Sequence, residues 1–400
     1  MRIPRIIRKT IQAACLSSNS ENSCRYFFGV KMAKTYNNLF AKIYDFESLH
    51  NAFLKARKGK RENIEVQRFE LNLEENLIQL QNELIWGMYK TGEYRKFKVY
   101  EPKERDVAAL PFRDRVVQHS ILSVIEPIWE GRFIYDSYAC RVGKGAHKGA
   151  DRAQSMMRQV LRNHGELYVF KADISKFFYS IDHEITKQLI RKRISCKKTL
   201  DLLDEIIDSS GGGVGLPIGN LTSQLFANMY LHELDEFAKH TLREKYYVRY
   251  MDDFCTFHHN KDHLRHIRID VERFLFEKLK LKTNAKTQIF KVAVHQGQAL
   301  DFLGYRMWVT HRRIRKSSIS RIHRKIRFMK KCYERETITA DRIRASITSW
   351  LAHASHAQSF GLQKSILHKA VFIRQLDRQT KCTVLLPKIE DIINVKASIK

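Results

Sequence analysis

The sequence predicts an α+β chain in which helices dominate and a few short strands carry the chemistry. Only 6 prolines interrupt 400 residues, so helix breakers are scarce. Apolar residues recur at helical spacing along much of the chain. Short β-rich runs end on acidic residues: 166–172 stops at Asp173, and 246–250 and 254–258 flank Met251-Asp252-Asp253.

The elements follow in order. Residues 37–58 read as a helix through Leu39, Ile43, Phe46, Leu49 and Phe53, and 70–88 as another through Leu71, Leu73, Leu77, Leu80 and Leu84. The basic/apolar alternation of 94–100 predicts a strand, and helical periodicity returns over 116–129. The apolar run 166–172 predicts a buried strand, followed by a helix with Asp182 as N-cap and running to Ile194. Gly211, Gly212 and Gly213 predict a flexible turn before a long helix over 222–240. The runs 246–250 and 254–258 read as a hairpin, 265–280 as a helix and 300–309 as a strand. The last ninety residues read as basic helices. Residues 1–31 read as an unstructured extension, with Met32 as the natural start.

The charge balance narrows the partners. Lys and Arg number 72 against 43 Asp and Glu, a net charge of +29, and a chain this basic calls for an anionic partner, nucleic acid first. No apolar run approaches the ~18–20 residues of a membrane span. The 7 cysteines are scattered and form no Cys-x-x-Cys pair, which excludes a zinc ribbon or disulfide framework and fits a reducing cytoplasm.

Asp252 and Asp253 repel one another unless a cation sits with them. Val248, Tyr250, Phe254 and Phe257 bracket the pair, so the hairpin is expected to be buried, and a buried acidic turn needs a counter-ion such as a divalent metal. Asp173 supplies a third carboxylate from another strand end. Three such carboxylates suit two Mg²⁺ ions, with Mn²⁺ as the alternative, and in-line phosphoryl transfer. On this reading Asp173, Asp252 and Asp253 are both catalytic and metal-binding.

These motifs together resemble a reverse transcriptase. Tyr250-Met251-Asp252-Asp253 matches the family's catalytic box, and 171–178, from Lys171 to Phe178, its first aspartate motif. Residues 111–118 and 137–141 match the fingers motifs, and 282–287 and 302–305 the two motifs after the hairpin. The resemblance implies a right-hand polymerase: fingers over 32–160, a palm of antiparallel sheet backed by helices over 161–310, and a basic helical thumb over 311–400. It implies RNA-directed DNA synthesis from dNTPs, with template RNA and cDNA as partners. Carried over residue by residue, Lys103 and Arg105 meet the incoming triphosphate, Phe178 blocks a ribose 2′-OH, and Lys286 lies near the leaving pyrophosphate. An inactive RNA-binding scaffold on the same fold is the non-enzymatic alternative, against which the intact aspartates argue.

Residues 215–224 narrow the branch. Most reverse transcriptases carry Gln-Gly-x-x-x-Ser-Pro here, whereas this chain has Ile218-Gly219 and Ser223-Gln224. That form resembles the enzymes of diversity-generating retroelements, which are bacterial or phage-encoded. The resemblance implies cDNA with errors at template adenines, mutagenic retrohoming and a small basic accessory protein. Ile218, Gly219 and Gln224 are then nucleotide-binding, with Ile218 offering shape but no hydrogen bond. A retron enzyme is the runner-up; an intron maturase is expected to carry further domains beyond a thumb.

Residues 311–345 hold thirteen Lys and Arg, and Arg321, Arg324, Arg327 and Lys331 recur at helical spacing. With Arg312 and Arg313 they are expected to track a phosphate backbone. His258, His259 and His263 read as a polar loop, and Gly211–Gly213 lacks the Lys-Ser/Thr of a P-loop.

Overall fold

The computed structural model describes residues 35–100, 104–375 and 381–384. The 1–31 extension and Lys103 lie outside the described residues.

The first helices are α1 (Phe40–Tyr44), α2 (Phe46–Arg57), α3 (Ile64–Leu71) and α4 (Leu73–Ile85). The single helix expected over 37–58 is therefore two. Asp45 leaves helical geometry at ψ 135° and its carboxylate accepts the Ser48 N–H at 3.0 Å, capping α2. Asn72 separates α3 from α4; the helix expected over 70–88 corresponds to α4, and α3 precedes it. The apolar spacing runs through the first break because α1 and α2 both pack on α5 (Phe112–Glu130). Between these helices, β1 (Arg95–Val99) and β2 (Arg105–Ala109) form an antiparallel hairpin.

After α5 come α6 (Ala146–His164), β3 (Tyr168–Asp173), the short α7 (Phe177–Ser180), α8 (His183–Arg191) and α9 (Lys197–Asp208). Asp182 caps α8 as its sequence predicts, accepting the Ile185 N–H at 3.0 Å. Next is α10 (Leu221–Glu236), which runs into a π-helical turn, Phe237–Thr241. Then follow β4 (Tyr247–Tyr250), β5 (Asp253–His258), α11 (Lys261–Leu279) and β6 (Gln288–Lys291).

Four strands form the central antiparallel sheet in the order β4-β5-β3-β6. Strand alternation sends Phe170, Ala172 and Phe254 into one core with Ile267, Val271 and Leu275 of α11. Val169, Cys255 and Phe257 go to the opposite face, against Ala150, Ala153, Met156 and Met157 of α6. Both faces are thus covered, which holds the strand ends rigidly. The first core is continuous from Leu39 to Leu281, joining the N-terminal helices to the sheet.

The single strand expected over 300–309 is a hairpin, β7 (Leu300–Phe302) and β8 (Tyr305–Met307), with Leu303 and Gly304 both at positive φ in its turn. With β9 (Arg312–Ile314) it makes a three-stranded sheet. The remaining elements are α12 (Lys316–Glu334), α13 (Ala340–Ala354), α14 (Phe360–Lys369) and a hairpin of β10 (Ile373–Gln375) with β11 (Lys381–Thr383). They gather around a separate core that includes Ile322, Ile326, Ile343, Ile347 and Leu351. Among the described residues no helix is long and apolar enough to cross a membrane.

Candidate active site

The β4–β5 hairpin turns in two residues. Tyr250 pairs with Asp253, leaving Met251 and Asp252 as the turn. Met251 lies at φ +55°, a left-handed conformation that is strained for a bulky side chain and persists only where its surroundings enforce it. Arg249 supplies that enforcement, donating from Nη1 to the Met251 carbonyl at 3.1 Å. Arg249 and Asp235 are both fully buried and bidentately paired, Nε to Oδ1 at 2.7 Å and Nη2 to Oδ2 at 2.6 Å. Asn228 and Ser137 accept further bonds from the same guanidinium, and the Tyr247 hydroxyl donates to Asp235 at 2.9 Å. A buried ion pair is tolerable when its remaining donors and acceptors are met in this way. Neither Arg249 nor Asp235 belongs to a sequence motif; the signal for the pair is a charged residue inside an otherwise apolar strand.

Sheet register brings the three aspartates to one corner. Asp173 stands directly opposite Asp253, and the Ile174 N–H donates to the Asp252 carbonyl at 3.2 Å. Burial, with Asp173 adding repulsion, pushes the Asp252 carboxyl above its ordinary range, against opposing pulls from Arg105 and Arg249. Asp253 is pushed up to about 6 by burial, although Lys171 opposes the rise. Lys171 lies on the same face of β3, with its Nζ 2.5 Å from Asp253 Oδ1. Burial works to lower its pKa, but Cys255 and Asp253 outweigh that and hold it above the usual lysine range. Asn284 completes the corner: its amide donates to the Asp173 carboxylate and its backbone N–H to the Asp173 carbonyl at 2.8 Å. Neither Lys171 nor Asn284 was assigned a role from sequence, although both lie inside recognised motifs.

The corner suits a hard divalent cation by its chemistry. Among the described residues Asp173 and Asp252 have no salt-bridge partner, and their mutual repulsion is what a cation between them relieves. No three His, Cys, Asp or Glu side chains among the described residues form a ready metal cluster. Asp253 is paired with Lys171, whereas Asp173 and Asp252 carry no such pairing among the described residues.

The other expected site residues fall in separate places. Arg105 on β2 acts electrostatically on Asp252 from the facing hairpin. Phe178 is half-buried in α7 against Phe177, and its carbonyl accepts the Leu216 N–H at 2.7 Å. Ile218 and Gln224 line different cavities. Ile218 lines a cavity of about 770 Å³ with Tyr94, Val107, Tyr179 and Leu216. Gln224 lines another, of about 210 Å³, with His119, Glu126 and Cys140. Gly219 sits at φ +124°, where an added Cβ would lie 2.9 Å from the Ala108 carbonyl oxygen, so the loop fits against β2 only as glycine. Ala108 fastens the same contact by donating to the Ile218 carbonyl at 2.9 Å. Lys286 is exposed, and its N–H donates to Asn284 Oδ1 at 2.7 Å.

Along α12, Arg321, Arg324, Arg327 and Lys331 are exposed while Ile322, Ile326, Met329 and Tyr333 are buried. Arg313 is exposed beside the Trp308 ring. Arg312 differs from the expectation of a phosphate contact. It is turned inward to Asp151 at 2.7 Å, to the His356 carbonyl and over the Tyr305 ring.

Carboxylates at adjoining strand ends of an antiparallel sheet covered on both faces by helices fit an α+β polymerase fold. The chain belongs to the reverse transcriptase (RNA-dependent DNA polymerase) family, whose model matches residues 95–307. Its relatives include protein YkfC of Escherichia coli, 28% identical over 57% of this chain and 70% of that protein. The group II intron-encoded protein LtrA of Lactococcus lactis is 27% identical over 41% of this chain. Nuclear intron maturase 2 of Arabidopsis thaliana is 29% identical over 32%. The chain spans only 28% of LtrA and 19% of that maturase. Among solved structures, apo telomerase from Candida tropicalis is similar at 12% identity and a TM-score of 0.46, over 72% of this chain and 60% of that one. The reverse transcriptase family uses divalent metal ions in its reaction.

Proposed function

We propose that this protein copies a template RNA into cDNA by nucleotidyl transfer from dNTPs, with Mg²⁺ held by Asp173 and Asp252 and Mn²⁺ as the alternative ion. The observation that carries the reading is the corner where these two carboxylates meet without a salt bridge, opposite Arg105. Bound metal would activate the primer 3′-hydroxyl and neutralise charge on the transferring phosphate. The chain's own residues do the rest. Arg105 faces the triphosphate, Phe178 stands where a ribose 2′-OH would have to fit, and Asp253 with Lys171 forms a neutral pair beside the metal-holding carboxylates. Residues 32–160, 161–310 and 311–400 serve as fingers, palm and thumb. The setting is the cytoplasm of a bacterium, with the gene bacterial or phage-borne. Primer extension on an RNA template tests the activity: the parent incorporates dNTPs and Asp252→Asn does not. Equal incorporation by both would refute the assignment.

Within the family, the Ile218-Gly219 and Ser223-Gln224 signature supports a diversity-generating enzyme, error-prone at adenines and working with a small basic accessory protein. A group II intron-type enzyme is the second reading, favoured by the relatedness to LtrA and the intron maturase. Sequencing of cDNA separates them, with errors concentrated at template adenines expected from the first and suppressed in Ile218→Gln. An even error spectrum in the parent supports the second.

A further inference from the structure

The end of β5 remote from Asp253 carries a cluster of titratable side chains that the polymerase chemistry does not use. At the strand rise of ~3.4 Å per residue it lies about 17 Å along β5 from the carboxylates. His164 closes α6, His258 and His259 adjoin the end of β5, and His263 lies in the first turn of α11. Their rings form a ladder: His164 and His259 have centroids 4.0 Å apart, His259 and His258 4.3 Å, and His258 and His263 4.1 Å. A cavity of about 290 Å³ opens beside it, lined also by Arg243, Glu244 and Lys245. The backbone here departs from regular geometry. A π-helical turn, Phe237–Thr241, leads into the segment and Arg243 lies at φ +56°. Both features recur at functional sites.

The lining decides the ligand. Six basic or imidazole groups face a single carboxylate, and that carboxylate, buried Glu244, is already engaged 2.7 Å from His263 Nε2. A metal ion does not suit the cluster, since no three donors among the described residues converge on it and Arg243 and Lys245 would repel it. An anion does, and the anion available to an RNA-copying chain is the phosphodiester backbone. We propose that this basin is a second nucleic-acid site, taking a phosphate of an RNA strand remote from the point of synthesis, an inference that rests on the reading of the chain as an RNA-copying enzyme.

Burial, reinforced by the neighbouring imidazoles of His263, His259 and His164, holds His258 down to about 4. His258 is therefore uncharged near neutral pH when the basin is empty. A phosphate favours the imidazolium, so binding takes up a proton and tightens as pH falls towards the ordinary histidine range. Glu244, on the loop before β4, is the acidic group lining the cavity and is matched by His263 of α11.

The test compares the full-length parent with Arg243→Ala/Lys245→Ala and, separately, His258→Ala/His259→Ala, using fluorescence anisotropy across a salt series. The probes are a long structured RNA and a short primer–template duplex. The expected result is about a tenfold loss of affinity for the long RNA in the Arg/Lys variant, with the salt slope falling by about one per cation removed. The short duplex is expected to bind and be extended as before. Unchanged long-RNA affinity and slope in both variants overturns the proposal. So does an equal loss on both probes in both variants, or zinc binding that the His variant abolishes with no effect on RNA. Binding is read without turnover, so a parent that fails to extend the primer refutes the polymerase reading separately.

Discussion

Asn284 holds Asp173 at two points, its side-chain amide on the carboxylate and its backbone N–H on the carbonyl oxygen of the same residue. The contact fixes which way the carboxylate points, and it comes from the segment that leads into the edge strand β6. A hydrogen bond to a charged group contributes about 1.5–3 kcal/mol. Asn284→Ala is therefore expected to lower kcat on an RNA template by about 10–100-fold while leaving KM for template nearly unchanged. Asn284→Asp sets a further carboxylate against Asp173 and its neighbouring aspartates and is expected to be worse than alanine. Steady-state primer extension ranks the three proteins, and an aspartate variant as active as the parent would remove Asn284 from the site.

The buried Arg249–Asp235 pair leads to a different separation of effects. Truncating Asp235 leaves a guanidinium charged, buried and half-paired, at a cost of about 3–5 kcal/mol. Asp235→Ala is expected to show that loss in urea unfolding. Ser137→Ala removes only one neutral acceptor, 3.2 Å from Arg249 Nη2, and costs about 1 kcal/mol. Because Arg249 also holds the Met251 carbonyl, Ser137→Ala is expected to lower kcat more than its small change in stability explains. An unchanged kcat would mean the pair supports the fold alone.

The raised carboxyl of Asp253 makes the metal-free protein's stability depend on pH. Its folded pKa, about 6, exceeds the unfolded value of about 3.9, so between those values the native state holds a proton that the unfolded chain releases. Stability from this group is present below about pH 4 and is lost as pH rises towards 6. Thermal unfolding in EDTA is expected to show the parent losing Tm across that window relative to Asp253→Asn. A constant difference between the two curves would contradict the raised pKa.

Much of this site is legible in the sequence, and the misses share physical causes. The catalytic hairpin is readable because apolar strands closed by two residues leave one register. Helix α6 goes unread although its buried stripe, which includes Gly149, Ala150, Ala153, Met156, Met157 and Val160, recurs at helical spacing; glycine and alanine in half of it make the stripe look less apolar than it is. The break at Asp45 is hidden because apolar spacing continues across it. Asn284 and Lys171 are invisible as site residues because their roles depend on strand pairing between distant segments. Arg312 reads as a surface cation and is instead a tie across the chain to Asp151, a pairing that only the folded chain reveals.

Gly219 separates steric from conformational need. At φ +124° any side chain is strained, and here a Cβ also meets the Ala108 carbonyl oxygen at 2.9 Å and Val107 Cγ1 at 3.0 Å. Gly211, at φ +75°, has nothing within 4 Å of the same added atom. Alanine at either position carries a backbone cost of about 1–3 kcal/mol. At Gly219 alone it also displaces β2, the strand that carries Arg105. Gly219→Ala is therefore expected to raise KM for dNTP about tenfold, whereas Gly211→Ala lowers Tm without changing KM. Stopped-time incorporation at varied dNTP, set beside thermal melts of both variants, measures the two effects. Equal KM in the two variants would show that the loop–hairpin contact does not position the incoming nucleotide.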